Sequence, residues 1–62
     1  MLIHNAKTAE NMIGFKITQA VEDPSGEGFF GFKAKKGRKE ITVWILRDEE
    51  GNGPGCMDAE GL

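Results

Sequence analysis

The sequence predicts an α+β fold: a short N-terminal helix packed on a three- to four-stranded antiparallel β-meander. Three observations carry that prediction. Residues 5–13, NAKTAENMI, space their apolar positions for one face of a helix. From Phe15 the apolar period changes to two, the spacing of a half-buried strand. Glycine-bearing turns then cut the remaining chain into strand-length pieces.

The elements follow in order. Ala6, Ala9 and Ile13 fall on one side of the N-terminal segment, with Lys7, Glu10 and Asn11 turned away. Asn5 is the expected N-cap, because its side-chain oxygen can accept an orphan N–H of the first turn. Gly14 is the expected stop. In the first strand Ile13, Phe15, Ile17, Gln19 and Val21 are expected on one face, with Lys16, Thr18, Ala20 and Glu22 on the other. DPSGEG, residues 23–28, reads as a turn, because Pro24 presets φ and Gly26 permits a positive value. The second strand runs from Phe29 to Lys35, with Phe30, Phe32 and Ala34 on one side. Lys36, Gly37 and Arg38 form a tight hairpin connection. The third strand, Lys39 to Arg47, alternates Ile41, Val43 and Ile45 with Thr42, Trp44 and Leu46, so it is apolar on both faces. Such a strand is central, or covered on its second face. Glycines break the segment from residue 51 onward, and Cys56 to Ala59 can add a short edge strand before a few last residues that can be disordered.

At 62 residues the chain is a single small domain. A domain of this size buries only about 60% of the surface that its unfolded chain exposes. One cysteine, Cys56, excludes an intramolecular disulfide, and one histidine, His4, excludes a Cys/His zinc cluster. Burial by a partner or a second copy is therefore the natural supplement, and the size argument leaves a homodimer and a partner-bound monomer both open. The start of the chain shows no basic segment followed by an apolar one, and no apolar run approaches the ~20 residues of a membrane span. A soluble protein of the cytoplasm, without membrane partners, is the expectation.

The net charge of −2 conceals an uneven arrangement. Lys33, Lys35, Lys36, Arg38 and Lys39 crowd together, and Asp48, Glu49, Glu50, Asp58 and Glu60 crowd near the end. Two solvated turns would give this pattern, and so would a dipolar surface that steers a partner. In GFFGFKA, residues 28–34, Phe30, Gly31 and Phe32 resemble the centre of the base-stacking strand of RNA-recognition and cold-shock modules. The flanks depart from that motif: Gly28 and Glu27 stand where a basic residue would be wanted. Core phenylalanines followed by a charged turn are the simpler reading.

The other motifs are weaker. Asp48, Glu50, Asn52 and Gly53 fit four positions of a calcium loop, but its twelfth position is Ala59, and Pro54 interrupts it. GNGPG could form an anion nest, but Pro54 removes a donor and the neighbouring acids repel phosphate. Neither supports a metal or cofactor. Cys56 has no histidine near it in sequence, and Ser25 is the only serine, so no nucleophilic set is legible and no enzyme activity is expected. Trp44 reads first as a core residue and second as an interface anchor.

Residues 30–55, FGFKAKKGRKEITVWILRDEEGNGPG, resemble small proteins encoded by bacteriophages and prophages, a group with no agreed activity. The resemblance covers less than half of the chain. It implies a non-enzymatic binder that blocks a host protein, such as a component of antiviral defence, in the manner of an anti-CRISPR protein. The residues expected to meet that partner are Phe29, Trp44 and Leu46 as apolar anchors, with the basic 33–39 turn or the acidic residues 48–50 supplying charge. Nucleic-acid binding by the basic hairpin 33–39 and a structural role in virion assembly are the alternatives.

Overall fold

A computed structural model describes residues 1–26, 28–46 and 55–62. Strand β1 is Leu2–Ile3. Helix α1, Ala6–Ala9, runs into a 3₁₀ turn, Glu10–Met12. Strands β2 (Lys16–Glu22), β3 (Phe30–Lys36), β4 (Lys39–Leu46) and β5 (Cys56–Glu60) follow. They form one antiparallel sheet in the order β1-β5-β4-β3-β2. The predicted meander of β2, β3 and β4 is present, but among the described residues the sheet has five strands rather than three or four.

The difference lies at the N-terminus. Leu2 and Ile3 pair with Asp58 and Met57, so β5 is flanked on both sides and β1 takes the edge expected for Cys56–Ala59. Met1 anchors the pairing. Its ammonium donates to the Ala59 carbonyl at 3.0 Å, and its own carbonyl accepts the Ala59 N–H at 2.8 Å. Two residues are too few for any period to show. Strand β5 runs to Glu60, one residue beyond the expected Cys56–Ala59, and Leu62 packs against the core.

Asn5 caps the helix as expected. Its Oδ1 accepts the Thr8 N–H at 2.8 Å, and Thr8 Oγ1 accepts the Asn5 N–H at 3.2 Å, a reciprocal capping box. The helix is shorter than the expected 5–13 span. After one α turn the chain tightens to three residues per turn, which alters the phase of its side chains. Ala9 and Met12 pack on the core, while Ile13 is 70% exposed.

In β2 the single expected face is broken. Ile17 stands opposite Ala34 and Gln19 opposite Lys33, so a bulge at residue 18 inserts one residue. Cross-strand partners share a face. Ile17 therefore lies on the side of Ala34, and Gln19 and Val21 lie on the other. No alternation of residue types could reveal that slip.

The β3–β4 hairpin keeps the expected alternation. Phe30, Phe32 and Ala34 face Ile45, Val43 and Ile41 across the ladder. Lys36 pairs with Lys39 around a two-residue loop. Gly37 takes φ +61 in that loop and Arg38 stays at negative φ, the pattern of a type II′ turn.

One face of the sheet carries the core: Ile3, Ala34, Ile41, Val43 and Ala59 are buried. Ala9, Met12, Phe15, Phe32, Met57 and Leu62 pack around them. The chain enters at the β1 edge, crosses this face through α1 and begins β2 at the opposite edge. One helical turn covers little, and the Cα envelope is only 14 Å in its thinnest direction. The expectation of core phenylalanines is therefore only partly met: Phe32 packs on the core, but Phe30 is 58% exposed. Trp44, expected first in the core, points to the opposite face. It pairs with Gly31, one position out of phase with the buried Val43.

Candidate partner-binding face

The second face is read from the ladders in rows. Lys16, Lys35 and Glu40 share the first row. Gln19, Lys33, Thr42 and Glu60 share the second. Val21, Gly31, Trp44, Asp58 and Leu2 share the third. Leu46 and Cys56 follow. Ala9 and Met12 pack on the core, so the helical segment lies over the first face rather than this one. We call the second the open face.

Phe29, Trp44 and Leu46, the three anchors expected from sequence, come together here. With Asp23, Asp58 and Glu60 they line one shallow cavity of about 360 Å³. Trp44 and Leu46 are half-buried, and Phe29 is 39% exposed. Strand β4 supplies Trp44 and Leu46, and Phe29 lies just before β3. Asp23 turns into its own loop, where its carboxylate accepts the Ser25 N–H at 3.0 Å. Asp58 meets the N-terminal ammonium at 3.5 Å, with both groups about two-fifths exposed. At that exposure the pair contributes little to stability.

Gly31 shapes the same surface. A Cβ there would run into the Val43 carbonyl on the neighbouring strand, so β3 and β4 approach more closely than a side chain allows.

The basic run does not form one patch. Lys33 and Lys35 lie on the open face, where Lys16 joins them. Lys36 is on the other side. Its Nζ stands 5.4 Å from the centre of the Phe15 ring and donates to the Ile13 carbonyl at 3.3 Å. Arg38 and Lys39 stand exposed at the hairpin tip. Phe30 and Phe32 share a face, as a base-stacking pair must, but it is the face that carries the core. Asp48, Glu49 and Glu50, with the rest of the calcium-loop and nest motifs through Pro54, lie outside the described residues.

Sequence reasoning missed Asp58 and Glu60 as members of this face. Cys56, Asp58 and Glu60 alternate with Met57 and Ala59, which is a strand signal, but their pairing with β4 is set by chain topology. Nor does the sequence connect Cys56 with His4, and both line a second open cavity of about 410 Å³ at the β1–β5 end. The His4 ring is engaged by Asn5, whose Nδ2 lies 3.3 Å from Nδ1. Among the described residues no group of three or more His, Cys, Asp or Glu side chains is placed to hold a metal ion. No helix among them is long and apolar enough to cross a membrane.

Comparison with known proteins returns no match: no family model, no curated protein and no solved structure is similar to this chain.

Proposed function

We propose that this chain is a non-enzymatic binding protein that acts by occupying a surface on a protein partner, and that the open face of its sheet is the contact surface. One observation carries the reading. The only tryptophan and Leu46 are held half-buried with the exposed Phe29 around a cavity, while the fully buried residues are smaller side chains. Large rings outside a core that needs them are what an interface centre looks like. The resemblance to phage and prophage proteins favours a host protein as the target.

A second reading has its own observation. Lys16, Lys33 and Lys35 converge on one face, which suits a phosphate backbone. Against it, Glu40, Asp58 and Glu60 share that face.

A tagged chain captured from bacterial lysate, with and without nuclease, separates the two. The protein-binding reading expects a partner that survives nuclease and is lost on Trp44→Ser. Capture abolished by nuclease and by Lys33→Glu with Lys35→Glu would replace it with the nucleic-acid reading.

A further inference from the structure

Among the described residues the charges of the open face are sorted from side to side, apart from Asp23, which lines the cavity from the β2 end and accepts the Ser25 N–H. Lys16, Lys33 and Lys35 stand on β2 and β3. Glu40, Asp58 and Glu60 stand on β4 and β5. Trp44 lies near the dividing line, paired with Gly31. Lysines on one side, carboxylates on the other and an aromatic between them form a pattern that complements itself under one rotation.

From this we infer that the open face docks a second copy of the chain, face to face, about a two-fold axis parallel to the strands. The inference rests on the reading of this face as a docking surface and names its occupant. The rotation turns the second sheet over and exchanges its left and right sides, so each β4–β5 side lies over a β2–β3 side. Carboxylates meet lysines twice, as a two-fold interface requires. Rows are preserved, so Glu60 lies in the same row as Lys33 of the second copy. The Trp44 row meets itself, so the two tryptophans lie in one row across the axis. An axis across the strands would keep left and right in place and stack acids on acids. The two charge sets therefore select one orientation.

Burial argues the same way. The envelope is 14 Å thick, and only five hydrophobic residues are buried among those described. A second sheet packed at about 10 Å turns a single covered sheet into a sandwich with an interior on both sides of β4. A foreign protein then reaches this face by displacing the second copy.

The test uses the full chain in sedimentation velocity across the micromolar range, with circular dichroism to confirm folding. Wild type is expected to dimerise, and less so as salt rises, because exposed charges are screened. Lys33→Glu with Lys35→Glu makes the face predominantly acidic, and Glu40→Lys with Glu60→Lys makes it predominantly basic. Each double variant is expected to dissociate at least about tenfold more readily. Mixed together they are expected to pair, and the four substitutions in one chain are expected to restore self-pairing. If a reversal unfolds the chain, Lys33→Gln and Glu60→Gln answer the same question, each weakening the dimer. A monomeric wild type, or dimers indifferent to these changes, overturns the inference. In that case the Trp44→Ser capture experiment still judges separately whether the face docks another protein.

Discussion

The two faces of the sheet are made from the same strands and built to opposite rules. On the core face the buried residues are alanine, valine and isoleucine, and none carries a polar side chain. On the open face the side chains are larger, mixed with charge and only half covered. Strand β4 shows the contrast within one element: Ile41 and Val43 are almost wholly inaccessible, whereas Thr42 and Trp44 are not. In this protein residue size does not forecast burial. Position on the pleat decides it, and the largest ring is left available for contact.

Substitutions can break that contrast, and the largest effect is expected where the two faces share backbone. Gly31→Ala places a methyl group against the Val43 carbonyl, which cannot move without disturbing β4. A loss of about 3 kcal/mol is expected in urea unfolding, enough to unfold most of so small a domain. Ile41→Ala removes one of the two largest fully buried side chains, and about 2–3 kcal/mol should be lost. Trp44→Ser is the counterpart on the open face. It is expected to cost no more stability than Ile41→Ala, because Trp44 keeps part of its surface in solvent, and to abolish capture of a partner.

Smaller effects sharpen the picture away from the open face. Asn5→Ala removes the acceptor for the Thr8 N–H and should cost about 1 kcal/mol in the same assay. Lys36→Met keeps the aliphatic stem but loses the cation over Phe15 and the bond to the Ile13 carbonyl. A loss of about 0.5 kcal/mol is expected, with no change in capture, since Lys36 lies off the open face.

Much of the core face was legible in the sequence. The alternation of Ile41, Val43 and Ile45 and the hairpin at Gly37 are local signals, and the structure keeps both. The Asn5 cap was legible for the same reason. The open face was legible only in its apolar members. Phe29, Trp44 and Leu46 announce themselves by size, but Lys16, Asp58 and Glu60 join them through pairings between distant strands. The bulge at residue 18 and the two-residue strand β1 leave no periodic trace. Neither the face of Ile17 nor the interior place of β5 could therefore be read from alternation.

The most direct measurement uses Trp44, the only tryptophan, as its own reporter. Acrylamide quenching of its fluorescence should be followed in the folded chain as protein concentration rises. A half-buried tryptophan at a docking surface predicts partial quenching in dilute solution and progressive protection as the second copy covers it. A tryptophan already shielded in the dilute folded chain would contradict the account.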